Sequence, residues 1–530
     1  MPGSGSGGKH GSDVLRDPGL SRSAGFTGAG LAWDVTEPAD TQLAVNLPGT
    51  GETLLSRALI PDPARFPEVL YDLAAGEDCL KSGQVLRRPH GMYLPVTHAG
   101  HVRDVLRSWP VTGVRFICVT DGGRLLSRGA TGTGIPVGKL QLSTVAAVVP
   151  PQGLLQVYLD AGTDDETFLR DPLYAGLRRR QPPPGELYAF TEEFAEAVQE
   201  VFPDCCIHFQ DWAGADAIAL LARYRGKVSC YNDGIPGTAG VVLAGLINAL
   251  KISGGQLDEQ RILFLGAGSA ATGIAGLVVC ALRQQGVAPG LARQQIRMFD
   301  TQGLVVRGRP GLAADKLPYA HALPPGKPFD HLDLASEQRR IAAAIEDFRP
   351  TVLIGVSTVG KLFSREIVEA MSRHNDRPVI FALSNPVDSH EVQPQDAYAW
   401  SGGRAVYAGG VQFPPVRIAE QEQPFLPSQA TSLYIFPAVA MAVYATGARH
   451  VTDEMVIKAA QAVASQVTPQ QLSLGMLFPP QSAMLETGIR AAAQVADLIF
   501  EAGLARVDRP DDIQAFIRQH VYQAQYTPLT

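Results

Sequence analysis

The chain has 530 residues, 45% of them hydrophobic and 18% charged, which is enough for two or three packed domains around a large core. A net charge of −7, with no basic run longer than Arg178-Arg179-Arg180, argues against a nucleic-acid surface, because such surfaces neutralise phosphates with clustered cations. The six cysteines (Cys79, Cys118, Cys205, Cys206, Cys230, Cys280) form no C-x-x-C pair and read as buried thiols of a reducing cytoplasm, and no run of roughly 18 uninterrupted apolar residues offers a membrane span.

Residues 1–12 are Gly/Ser-rich with no apolar stretch, and read as a disordered N-terminus rather than a signal or transit peptide. From about Arg57 to Leu140, apolar strands such as Val114 to Thr120 alternate with helical stretches, and Leu154 to Leu159 is a further strand. Pro182-Pro183-Pro184-Gly185 reads as a loop. The run from Phe190 to Phe202 places Phe194, Ala197, Val198 and Val201 on one helical face. A small-residue helix over Thr238 to Leu250 ends at Ser253-Gly254-Gly255. Beyond it the pattern becomes strands separated by helices: Arg261 to Leu265, Gln295 to Phe299, Thr351 to Val356, Pro378 to Leu383 and Arg404 to Ala408. Each is a short apolar run with little polar alternation, as in a parallel sheet covered on both faces. The expected fold is α/β: a Rossmann-type doubly wound parallel sheet domain over 240–424 and a mixed α/β N-terminal domain over 13–239, followed by a C-terminal segment over 425–530.

After the strand ending at Leu265 comes Gly266-Ala267-Gly268-Ser269-Ala270-Ala271, the G-x-G-x-x-A form of the dinucleotide fingerprint. Gly266 allows the tight turn, Gly268 lets the backbone approach a pyrophosphate, and Ala271 lets helix pack closely on strand. The helix N-terminus then offers free N–H groups to the phosphates. A glycine-rich turn of this kind also occurs for packing alone, but the next strand ends at Asp300, whose carboxylate can accept ribose hydroxyls. Together they point to NAD or NADP. Thr301 and Gln302 bring no cation for a 2′-phosphate, which leans toward NAD.

Further segments carry a family resemblance. Gly134-Ile135-Pro136-Val137-Gly138-Lys139-Leu140, Tyr231-Asn232-Asp233-Gly234-Ile235-Pro236-Gly237-Thr238-Ala239, Phe381-Ala382-Leu383-Ser384-Asn385-Pro386 and Leu433-Tyr434-Ile435-Phe436-Pro437 occur in this order, with Arg87-Arg88-Pro89-His90-Gly91 and Asp121-Gly122-Gly123-Arg124 ahead of them. The chain resembles the malic enzymes, oxaloacetate-decarboxylating malate dehydrogenases. The resemblance implies a small carboxylic acid substrate, a nicotinamide cofactor, a homodimer or homotetramer, and a substrate domain over 13–239 to which 425–530 returns as closing helices; charge and hydropathy argue against a nucleic-acid or a membrane partner. It assigns the general base to Lys139 and the proton donor to Tyr71, sixteen residues before Arg87. Arg124 grips the substrate carboxylate, a bidentate role that guanidinium suits, and Asn385 contacts substrate or nicotinamide. Each residue has a plainer alternative: a surface lysine, a core tyrosine with a satisfied hydroxyl, a surface ion pair, and a Ser-Asn-Pro turn.

The same resemblance places Mg²⁺ or Mn²⁺ on a Glu-Asp pair and on the second Asp of Phe-Asn-Asp-Asp. Here the pair is Gln210-Asp211, and the later position is Gly234 beside Asp233, so three carboxylates become one. At an effective dielectric of about 20, each charge lost beside a dication removes several kcal/mol of attraction. The substrate segment Asn-Asn-Val-Tyr is Thr431-Ser432-Leu433-Tyr434, with shorter side chains, and the turn before Gly134 is about three residues short. Two readings follow: an oxidoreductase acting on malate or a related 2-hydroxy acid with weakened metal dependence, or a pseudoenzyme that binds nucleotide or carboxylate as a regulatory scaffold.

Overall fold

A computed structural model describes residues 91–122, 149–322 apart from 173, 175, 211 and 213, 337–418 apart from 386, and 423–522. Lys139, Tyr71, Arg124 and Asp211 lie outside the described residues, as does the side chain of Asp233.

The N-terminal half builds a five-stranded parallel sheet in the order β1-β3-β2-β4-β5. Its strands are β1 (Gly91–Pro95), β2 (Phe116–Thr120), β3 (Leu154–Asp160), β4 (Cys206–Phe209) and β5 (Cys230–Tyr231). Every residue of β2 and β4 is buried, because both faces are covered. Ile117, Val119, Leu155 and Ile207 face one core with Phe194 and Val198 of helix α1 (Pro184–Val201), while Phe116 and Cys206 face a second core with the C-terminal helices. Helix α1 starts six residues earlier than its apolar spacing suggests. Pro184 sits in its first turn, where the missing N–H costs nothing.

Helix α2 (Thr238–Ser253) joins the halves and stops at Gly254, whose φ of 81° suits a glycine C-cap. With the turn before it, Gly234–Ser253 is long and apolar enough to cross a membrane, yet 72% of it is buried among other helices, as a core helix would be.

A seven-stranded sheet follows, in the order β12-β11-β10-β9-β6-β7-β8. It comprises β6 (Ile262–Leu265), β7 (Ile296–Asp300), β8 (Gly303–Leu304), β9 (Val352–Gly355), β10 (Val379–Ala382), β11 (Val406–Gly409) and β12 (Ser428–Gln429). The short edge pair β7–β8 is antiparallel and the other pairings are parallel. Period-two alternation divides the side chains between two layers. Ile262, Phe264, Val352, Ile354, Val379 and Phe381 face α2 and α3 (Ser269–Gln284), while Leu263, Leu265, Leu353, Ile380 and Ala382 face α4 (Glu337–Phe348) and α5 (Arg365–His374). This is the doubly wound arrangement expected of the apolar runs. Helices α6 (Phe436–Thr446), α7 (Asp453–Ala464) and α8 (Met484–Glu501) complete the core around α2, and Arg115 donates to the Tyr444 carbonyl at 2.9 Å, tying α6 back to the first sheet.

Candidate cofactor and substrate cleft

In an open parallel sheet a ligand binds beyond the carboxyl ends of the strands, where the strand order reverses. Here that point lies between β6 and β9, since β7 stands on one side of β6 and β9 on the other. Gly266 occupies it with a φ of 106°, and a Cβ there would lie 2.5 Å from the Val356 carbonyl oxygen. No other residue fits both demands. Gly268 has nothing within 4 Å of where its Cβ would be, so the backbone before α3 is open to a ligand, and Ala271, in the first turn of α3, is fully buried. The three positions thus do what the fingerprint asks of them.

Asp300 ends β7, at the adenosine side of such a site. Its carboxylate accepts from Lys316 Nζ at 2.8 Å, from the Arg309 guanidinium, and from the Gln302 amide at 2.9 Å. Burial alone would raise its pKa, but the hydrogen bonds from Lys316 and Arg309 win and hold the carboxyl below its ordinary range. The adenosine side therefore carries two cations that Thr301 and Gln302 gave no sign of. They stand 9 and 16 positions along the chain from Asp300, and only the fold brings them back.

The turns leaving β10, β11 and β12 form the other half of the cleft. Asn385 is exposed just past β10, and its Oδ1 lies 2.4 Å from where a Cβ on Gly410 would sit, so Asn385 and Gly410 are immediate neighbours. Ala430, after β12, donates to the Gly409 carbonyl at 2.8 Å and brings Thr431 and Ser432 to the same edge. Thr431 turns inward as a cap, its hydroxyl oxygen accepting from the Leu433 amide at 3.4 Å.

On the first sheet, His208 and Tyr231 are register partners on β4 and β5, with rings stacked at 4.5 Å, and Phe436 of α6 stacks on Tyr231 at 5.8 Å. Gln210 and Asp233 each follow two residues after these partners, so the backbone leaves the sheet at one end of β4 and β5 at these two positions. Gln210 is 6% exposed and its amide oxygen has no hydrogen-bond partner among the described residues.

Two family profiles match the chain: "Malic enzyme, N-terminal domain" over residues 48–225 and "Malic enzyme, NAD binding domain" over 235–500. The NADP-dependent malic enzyme of Anas platyrhynchos is 36% identical, across 98% of this chain and 96% of that protein. The human NADP-dependent malic enzyme is 37% identical, across 91% and 83%. Among solved structures, Entamoeba histolytica malic enzyme superposes with a TM-score of 0.57 at 21% identity, covering 92% of this chain and 89% of that one, which bears on the fold. The chain belongs to the malic enzyme family. The α/β architecture with a Rossmann-type NAD(P)-binding domain is that of the family.

The lean toward NAD finds no support in this group, whose similar members are NADP-dependent, nor in the cation pair beside Asp300. A malic enzyme's divalent cation is a different matter. Gln210 offers one neutral oxygen and Gly234 no side chain, while Asp211 and the side chain of Asp233 lie outside the described residues. A hard dication draws its affinity from anionic oxygens, and neither Gln210 nor Gly234 supplies one. Gln210 could be read from the sequence as a lost charge; the burial of its amide oxygen with no hydrogen-bond partner among the described residues could not.

Proposed function

We propose that this malic enzyme homologue is an NADP-dependent oxidoreductase acting on malate or a related 2-hydroxy acid, with little or no assistance from a divalent metal. The observation that carries the reading is the contrast within one cleft: a complete dinucleotide turn at Gly266–Ala271 beside a metal edge holding Gln210 and Gly234. Arg309 and Lys316 support NADP, because a 2′-phosphate on the adenosine ribose would find two cations already placed around Asp300.

In this reading Arg124 orients the substrate by its carboxylate, and Lys139, neutral when buried near other cations, takes the C2 hydroxyl proton. The nicotinamide, when bound, would supply the hydride acceptor. Tyr71 returns a proton to the product, and Asn385 holds the substrate or the nicotinamide carboxamide. The 2-keto product of a malate-like acid carries its own electron sink for β-decarboxylation, so that step is slow rather than forbidden without a metal. The lost carboxylates equally support a second reading, a binding scaffold that keeps the nucleotide and has given up the chemistry.

One assay separates the two. Purified protein is given NADP⁺ and L-malate, then a panel of 2-hydroxy acids, with and without Mn²⁺, and NADPH is followed by absorbance. The oxidoreductase reading expects turnover with at least one acid and the same rate in both metal conditions. No reduction with any acid, alongside a nucleotide-induced rise in Tm, leaves only the scaffold.

A further inference from the structure

A single carboxylate binds together the turns that follow β9 and β10. Glu391 is fully buried, and its Oε1 accepts from the Ser357 amide at 3.0 Å, the Ser357 hydroxyl at 2.9 Å and the Ser384 hydroxyl at 2.5 Å. Its Oε2 accepts from the Ser384 amide at 3.2 Å, and the Ser384 hydroxyl oxygen accepts in turn from the Thr358 amide at 2.8 Å. A buried carboxylate is costly without partners; four donors meet this one, two from each turn. There is no slack in the packing. A Cβ on Gly355, the last residue of β9, would lie 2.5 Å from the Glu391 carboxyl carbon.

The turn so held is strained. Thr358 has a φ of 59° and Lys361 a φ of 60°, in the left-handed region that non-glycine residues seldom adopt, a β-branched threonine least of all, and that persists only where the surroundings over-determine it. The Thr358 amide is fixed by Ser384, and the Lys361 amide by the His390 carbonyl at 2.8 Å. Outside the clamp, Asn385, Val359 and Val387 are exposed, the two valines at 50% and 48%. This rim has a place in the cleft. With the pyrophosphate at Gly266 and the adenosine toward β7, the other half of a dinucleotide must run the opposite way along the sheet, over the ends of β9 and β10.

We propose that Glu391 is a positioning residue for the nicotinamide half of the cofactor: its carboxylate locks the 357–359 turn to Ser384-Asn385 and so sets the ledge on which the ring rests. The proposal deepens the dinucleotide reading given above and rests on it. Glu391 acts through the two turns and touches neither cofactor nor substrate.

The test measures two ligands on the full chain, NADPH and adenosine 2′,5′-bisphosphate, which shares the adenosine end and lacks the nicotinamide. In Glu391→Gln the dissociation constant for NADPH should rise about tenfold while that for the bisphosphate changes by less than about twofold. Ser384→Ala, a milder change that removes one link, should raise it about threefold, and the double variant should be no worse than Glu391→Gln alone, because both act through one network. If Glu391→Gln does not fold, Ser384→Ala carries the same comparison. Equal weakening of both ligands would make the clamp a general fold element and overturn the proposal, as would no weakening of either. Wild-type protein that binds neither ligand overturns the dinucleotide reading and this proposal together, whereas wild-type binding with an unselective variant overturns this proposal alone.

Discussion

The carboxyl ends of the parallel strands in the two sheets differ in the side chains they carry. On the seven-stranded sheet the dinucleotide turn is present, with the positive φ of Gly266 and the open face at Gly268, and the paired cations at Asp300 and the Glu391 network lie at the same sheet's strand ends. On the five-stranded sheet the strands and their aromatic stack are equally well packed, yet the residues leaving β4 and β5 include a neutral amide, Gln210, and a glycine, Gly234, where the family resemblance implies carboxylates. General loss of constraint would have loosened the core as well, and among the described residues both sheets are closely packed, which supports the proposal that the change is one of ligand chemistry.

The largest way to break this contrast is to restore the charge. Gln210→Glu with Gly234→Asp returns two carboxylates beside Asp211, and Mn²⁺ affinity measured by calorimetry should rise at least about a hundredfold over wild type. An unchanged isotherm would place the obstacle elsewhere, in Thr431-Ser432 or the Tyr71 segment. On the other edge, Gly266→Val forces a side chain into the Val356 carbonyl and a left-handed backbone, which should abolish NADPH binding and cost about 2–3 kcal/mol of stability by denaturant titration. Next comes Lys316→Ala, expected to weaken NADPH by roughly tenfold while NADH changes by less than about twofold. Equal loss for both nucleotides would separate Lys316 from the 2′-phosphate.

The smallest effect lies in pH. The Asp300 carboxyl is held below its ordinary range by Lys316 and Arg309 against the cost of burial. A depressed folded pKa contributes stability that is complete above the unfolded value, about 3.9, and is lost as pH falls through the folded value. Asp300→Asn should therefore lower stability by about 1 kcal/mol at pH 7 and by progressively less as pH falls below about 4. A gap between wild type and variant that stays constant down to pH 2 would contradict this account.

The chain's fold was legible in its sequence because both sheets are covered on two faces, so their strands appear as uninterrupted apolar runs such as Ile262–Leu265 and Val379–Ala382. The fingerprint was legible because its three small residues are adjacent in the chain. What the sequence hid was assembled from a distance. Lys316 reaches Asp300 across 16 positions, and Glu391 joins Ser357 to Ser384 across 34 and 7, with no local pattern to announce either. The start of α1 was hidden for another reason, since the prolines that signal a loop also open a helix at its first turn.

The contrast between the two edges is tested most directly by titrating Mn²⁺ into wild-type protein saturated with NADPH and following heat. The account predicts a bound nucleotide with no metal isotherm at millimolar Mn²⁺, on the order of the weakest carboxylate sites. A stoichiometric site of micromolar affinity would contradict it, and would mean that Gln210, Asp211 and Asp233 hold a dication after all.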